Sequence, residues 1–105
     1  MKLWIDDVRP APEGWTWIKS VDDAKRIISG RFTCSWYETM CGDQIEIISL
    51  DHDAGEFAQY GGDYIKLLDW LEEEHLCYPI HLHTANPVGR KNMRRIIKRN
   101  GWKEV

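Results

Sequence analysis

The segment Ile45-Glu46-Ile47-Ile48-Ser49-Leu50 carries a single charge and runs straight into Asp51. A nearly continuous β-branched run of that kind fits a strand buried on both faces, the habit of parallel sheets. Parallel neighbours need crossover connections, usually helical, and the rest of the chain supplies both. Lys2–Ile5 is a short apolar strand stopped by Asp6-Asp7, and Pro79–Thr84 is another. Trp15–Lys19 alternates Trp15, Trp17 and Lys19 against Thr16 and Ile18, and reads as a strand after the connector Arg9-Pro10-Ala11-Pro12-Glu13-Gly14. Ser20 is placed to cap a helix, with Asp23 in the capping-box position and Ala24, Ile27 and Ile28 facing inward as far as Gly30. Asp63 is the expected cap of a second helix carrying Ile65, Leu68, Trp70 and Leu71, with Glu72, Glu73 and Glu74 on its wet side. Asn86-Pro87-Val88-Gly89 reads as a turn, Arg90–Arg99 as a final helix ended by Asn100-Gly101, and Trp102–Val105 as a last short strand. Arg31–Asp43 reads as an irregular loop or a short extra strand. The expectation is one α/β domain over residues 1–105, a small doubly wound parallel sheet of about four to five strands.

Composition narrows the class. With 105 residues the chain is one domain's worth. Six tryptophans are many for this length, and side chains so bulky are expected to pack on the sheet, with one or two lining a pocket. Cys34, Cys41 and Cys77 are odd in number with no C-x-x-C spacing, which argues against a disulfide framework or a structural zinc site and for a reducing, cytoplasmic setting. The opening MKLWIDD turns acidic too early for a secretory signal, and no apolar run approaches the ~20 residues of a membrane span. The net charge of −3 conceals an asymmetry: 7 basic and 16 acidic residues precede Asn86, whereas 7 basic and one acidic follow from it.

In open α/β sheets, ligands bind outside the carboxyl ends of the strands. There this sequence places Asp6-Asp7, Asp51-His52-Asp53 and His83-Thr84-Ala85-Asn86. Carboxylates converging in one crevice repel one another unless a cation sits among them. Asp6, Asp7, Asp51 and Asp53 are therefore candidate ligands of Mg²⁺ or Mn²⁺, and the neighbouring histidines extend the choice toward Fe²⁺ or Zn²⁺. The competing reading is that these aspartates cap helices and turns. His81 and His83 share a strand face; His81 reads as a core histidine bonded to a carbonyl, His83 as a site candidate. His75, after three glutamates, reads as a surface residue at a helix end.

Leu3-Trp4-Ile5-Asp6-Asp7, Ile47-Ile48-Ser49-Leu50-Asp51 and Leu82-His83-Thr84-Ala85 together resemble the receiver domains of two-component signalling. The resemblance implies that Asp6 and Asp7 bind Mg²⁺, that Asp51 stands at the phosphoacceptor position, and that Thr84 hydrogen-bonds the phosphate. Asp53 stands where the family supplies a backbone carbonyl to the metal. Two departures matter. Receivers carry a helix between their first two strands, where this chain has a short connector with Pro10 and Pro12. The family's lysine after the fifth strand has no counterpart, since Lys103 comes too early, so the usual phosphorylation switch is not expected. The runs Ile5-Asp6-Asp7-Val8-Arg9-Pro10, Ser49-Leu50-Asp51-His52-Asp53-Ala54-Gly55 and His83-Thr84-Ala85-Asn86-Pro87-Val88-Gly89-Arg90 look more like a divergent, pseudo-receiver family of bacteria and their phages.

Arg90, Lys91, Arg94, Arg95, Lys98 and Arg99 share one helix face opposite Met93, Ile96 and Ile97. That basic face is either solvated or an anion-contacting surface. Overall acidity argues against strong nucleic-acid binding, but Gly89 and Arg90 follow the fourth strand directly and can face the acidic pocket, making Arg90 with Thr84 the candidate phosphate contacts. Three functions are consistent with these features. The first is a receiver-like regulatory or binding module holding a metal and a phosphate-bearing small ligand or protein partner. The second is a small metal-dependent phosphoester hydrolase, with Asp51, Asp53 and His83 as catalytic candidates and Arg9 or Arg90 neutralising charge. The third is an inert interaction domain using Trp15, Trp17 or Trp36.

Overall fold

Four strands, β1 (Lys2–Ile5), β2 (Thr16–Ile18), β3 (Ile47–Leu50) and β4 (Ile80–Leu82), make one all-parallel sheet in the order β2-β1-β3-β4. The structure is a computed structural model that describes residues 1–29 and 45–105; the expected loop or extra strand at Arg31–Asp43, with Cys34, Trp36 and Cys41, lies outside the described residues. Register sets what each face carries. Leu3 aligns with Ile48 and Ile80, and Ile5 with Ile18, Leu50 and Leu82, so these side chains project from one face and are buried. The intervening row, Trp17, Trp4, Ser49 and His81, projects from the other.

Three helices cover the first face: α1 (Val21–Ile28), α2 (Ile65–Glu73) and α3 (Pro87–Asn100), with α1 packed on α2 and α2 on α3. The crossovers from β2 to β3, from β3 to β4, and from β4 to the bridge that Glu104 makes with Ile80 all step the same way across the sheet. Right-handed connections stepping one way put their helices on one side. Among the described strands only the β1–β2 connection steps back, and Pro10 and Pro12 keep it free of helix. Among the described residues, therefore, no helix packs on the Trp4 face. Val21, Ala24 and Ile28 of α1, Leu67, Leu68 and Leu71 of α2, and Met93, Ile96 and Ile97 of α3 join the buried strand residues in one core cluster. No described helix is long and apolar enough to cross a membrane.

Local chemistry explains the element ends. Ser20 caps α1 as expected, its Oγ accepting the Asp23 N–H at 3.1 Å. α3 begins at Pro87 rather than Arg90, because Asn86 is its cap, accepting the Gly89 N–H at 3.0 Å, and proline suits the first helical position. Asp63 does not cap α2; its carboxylate reaches across to the Ala54 N–H at 3.0 Å and closes the loop that carries a 3₁₀ helix, Gly55–Gln59. The expected last strand is reduced to a single bridge, held by hydrogen bonds from Ile80 to Lys103 and from Val105 to Ile80.

Candidate functional site

Each strand that ends at the crevice keeps its ladder for one residue more. Asp6 N–H donates to Ile18, Asp51 N–H to Ile5 and His83 N–H to Leu50, at 2.9 to 3.1 Å. The sheet thus clamps the backbone of the residues that carry the chemistry. It brings Asp6, Asp7 and Asp51 together, one carboxylate oxygen of each lying within 4.8 Å of the others. Asp6 is fully buried. Its Oδ1 accepts the N–H groups of Val8 and Arg9, both at 3.0 Å, and its Oδ2 accepts from His83 Nε2 at 2.9 Å. Asp51 Oδ1 accepts the His52 N–H at 2.8 Å, and Asp7 presses on Gly55, where a Cβ would collide with its carboxylate.

His83 is fixed at both nitrogens. A carboxylate only accepts, so Nε2 carries the hydrogen, and the neutral ring leaves Nδ1 to accept the Ser49 hydroxyl at 2.7 Å. The Ser49 oxygen accepts in turn from His81 Nδ1 at 2.9 Å, so His81 pairs with a serine and not with the carbonyl expected. Trp4 stacks flat on His83, with ring centroids 3.8 Å apart and planes 5° from parallel. Asp6, His83 and Ser49 are the residue types of a nucleophilic triad, but Ser49 is wholly buried inside the sheet. Its hydroxyl reaches no substrate; it selects the tautomer with which His83 holds Asp6.

The remaining candidates sit around the rim. The Asp53 carboxylate is outside the three-carboxylate group: it bonds His52 Nδ1 at 2.8 Å and lies 3.4 Å from Asn86 Nδ2. The His52 ring lies against Gly89 in the first turn of α3, where any Cβ would strike it. Thr84 is buried, its Oγ1 accepting the Asn86 N–H at 3.1 Å. Arg90 turns back to donate from Nη2 to the Thr84 carbonyl, and its Nε is buried without a protein partner. Arg9 donates from Nη1 to the His83 carbonyl at 2.9 Å from the exposed side. Ser49 and Trp4 were not singled out from sequence, and Trp17, named there only as an interaction contact, donates from its indole to the Asp6 carbonyl at 2.8 Å. The signal for Ser49 was available, since it is the one polar residue spaced two before Asp51 on a shared strand face.

Hard oxygen donors in this number and spacing suit Mg²⁺ or Mn²⁺. The electrostatics agree. Burial, reinforced by the neighbouring Asp6 and Asp51 charges, pushes the Asp7 carboxyl above its usual range. Burial would also raise Asp6, but the N–H groups of Arg9 and Val8, with His83, outweigh it and hold Asp6 low. Burial pushes the His83 imidazole below 6.5, only partly offset by Asp6. The sign for stability follows. Below the unfolded histidine pKa of 6.5 the unfolded chain takes a proton that the folded His83 refuses, so stability falls on acidification. Asp6, held below 3.8, adds a further loss at still lower pH, whereas Asp7, held above 3.8, works the opposite way as it protonates. Urea unfolding from pH about 7.5 to about 5 is expected to show falling stability, and His83→Gln to flatten that slope. An unchanged slope in the variant would assign it to other groups.

A parallel sheet with acidic strand ends, covered by helices and carrying a Thr-Ala step after its fourth strand, defines a receiver-like α/β domain with an aspartate cluster. Residues 1–99 match the family described as the Cyclic-phosphate processing Receiver domain, and the chain belongs to that family. No curated protein and no solved structure matched.

Proposed function

We propose that this domain binds Mg²⁺ or Mn²⁺ at Asp6, Asp7 and Asp51 and there hydrolyses a cyclic phosphate ester to the open monoester. The observation that carries this reading is the convergence of three carboxylates at two adjacent strand ends, in a family whose description names cyclic-phosphate processing. A divalent ion held there neutralises phosphoryl oxygens and lowers the pKa of a water molecule. The chain's own groups do the rest. Asp51, whose Oδ1 accepts the His52 N–H, is the carboxylate that would take the proton of an attacking water. As the water oxygen bonds to phosphorus, one ring P–O bond breaks, and the departing oxygen takes a proton from solvent at the open rim. Thr84, whose oxygen already accepts the Asn86 N–H, directs its own proton toward a phosphoryl oxygen, and Arg9 adds positive charge at the rim. His83 holds Asp6, and Asp53 orients His52; neither touches the reacting atoms. Phosphorylation switching forms no part of this reading, since among the described residues no lysine pairs with the three carboxylates.

Binding without turnover is the second reading. It is favoured by Arg9 and Arg90, whose guanidinium groups are both tied to backbone carbonyls at the end of β4. Melting the protein with EDTA, Mg²⁺ or Mn²⁺ tests the metal: an ion at about 100 times Kd stabilises by roughly 2.7 kcal/mol, several degrees for a domain this size. Asp51→Ala is expected to abolish the rise and Asp53→Ala to retain it. Phosphorus NMR of glycerol 1,2-cyclic phosphate, read after the ion is chelated, then follows the monoester. A thermal rise without product selects the binding module; the absence of any rise overturns both readings.

A further inference from the structure

The basic face of α3 divides into cations with an internal role and cations without one. Arg94 is engaged by Glu104 and Arg99 by Glu72, while Arg90 turns back to the Thr84 carbonyl. Lys91, Arg95 and Lys98 are exposed, and no described carboxylate forms an ion pair with them. Among these side chains runs a groove of about 420 Å³, lined by Pro87, Arg90, Lys91, Arg94, Arg95 and Lys98. Five of those six residues are cationic. The groove opens at the first residue of α3 and follows the helix for about 16 Å.

One carboxylate of the chain itself shows what this face accepts. Glu104 lies on a segment that bridges in parallel to Ile80, and its two oxygens accept from Arg94 Nε at 2.8 Å and from Nη2 at 2.6 Å, a bidentate pair. Arg94, with Lys98 and Arg90 adding to it, outweighs burial and holds the Glu104 carboxyl below its usual range. That carboxylate serves the helix row of Arg90, Arg94 and Lys98. The neighbouring row, Lys91 and Arg95, has no such partner among the described residues. Cations four residues apart on a helix stand about 6 Å apart along its axis. Alternate side chains of an extended chain recur about every 6.6 Å. An extended acidic segment therefore keeps step with α3 over the groove, a length of about five residues.

We propose that this groove docks a short acidic segment of a partner protein, laid along α3 with its carboxylates against Lys91, Arg95 and Lys98. Recognition of an acidic motif by a cluster of cations is a recurring mode of peptide binding. The lining favours carboxylates over a nucleic-acid strand. Single strands are held by bases stacked on aromatic rings as well as by charge, and no described aromatic side chain lines this groove. A longer polyanion would also run over the acidic body of the domain, where 16 acidic residues face 7 basic ones before Asn86. The docking does not depend on the hydrolysis proposed above.

The test is fluorescence anisotropy with a labelled peptide of alternating glutamate and serine, beside a thymidine oligonucleotide of equal charge. The peptide is expected to bind at low salt, to weaken as salt rises, and to shift the amide resonances of α3 in NMR spectra. The triple variant Lys91→Ala, Arg95→Ala, Lys98→Ala is expected to lose about tenfold in affinity, the combined effect of three exposed pairs. Those three side chains are exposed and alanine favours helix, so the variant keeps its fold. A control carrying Lys25→Ala, Arg26→Ala and Lys66→Ala loses the same charge and is expected to bind as the wild type does. Asp51→Asn is likewise expected to leave the peptide bound, which separates the groove from the carboxylate site. No anisotropy change at low salt overturns the proposal. Equal weakening in both triple variants also overturns it, since that marks general attraction with no groove. Tighter binding of the oligonucleotide than of the peptide overturns it in favour of a nucleic-acid surface.

Discussion

Asp51→Asn is expected to lower the rate of cyclic-phosphate opening by a factor of about 10² to 10⁴, the range spanned by a positioned general base. The fold should survive the change. Asp51 is only half buried, its backbone N–H stays in the ladder with Ile5, and an asparagine oxygen can still accept the His52 N–H. Without ions, stability is expected to hold or rise, because Asp7 loses one of the charges that push its carboxyl upward. Loss of activity with no loss of stability separates a chemical role from a structural one. Initial rates and urea unfolding measured on the same preparation decide it, and a rate within tenfold of wild type would remove Asp51 from the mechanism.

His83→Ala should do the reverse and act mainly on stability. It strips the buried Asp6 carboxylate of one charge-assisted hydrogen bond, worth about 1.5–3 kcal/mol. It also removes the ring stacked on Trp4, worth about 0.5–1.5 kcal/mol more. A total of about 2–4.5 kcal/mol would lower the melting point by roughly ten degrees or more. His83→Gln, which keeps a donor for Asp6, should recover part of the loss. Ser49→Ala should cost less, since it leaves two imidazole nitrogens without a partner but keeps the bond to Asp6. A His83→Ala protein within half a kcal/mol of wild type would show that the bond to Asp6 contributes little, and would return His83 to the list of chemical groups.

The parallel strands and their acidic ends were legible because both follow from local rules: apolar runs of strand length, each stopped by a charge. The aspartate trio was legible for the same reason, since any parallel sheet of these strands brings Asp6, Asp7 and Asp51 to one edge. Side-chain direction was not. Asp53 lies two residues after Asp51, yet its carboxylate faces His52 and Asn86, the cap of α3. Asp63 obeyed a distant backbone N–H instead of its own helix, and only tertiary structure could place Ala54 within its reach. Asn86-Pro87 carries the same signal whether it is a turn or a cap followed by the first helical residue. Ser49 carried a positional signal, two residues before Asp51 on one strand face, but its partners follow only from the register that sets it beside His81. Pro10 and Pro12 did announce the missing helix; that its loss leaves Trp4, Trp17 and His81 on a face that no described helix covers follows from handedness and register together.

Gly55 and Gly89 have a consequence for recognising chains built this way. Acidic residues recur at strand ends for many reasons, capping among them, so their presence alone discriminates poorly. A glycine pressed onto Asp7 and another pressed onto His52 tolerate no side chain without displacing the group beneath. A sequence with the aspartates but bulky residues at these two places would share the sheet and lose the geometry of the site. The pair of absent side chains is thus a sharper fingerprint of this kind of site than the charges it frames.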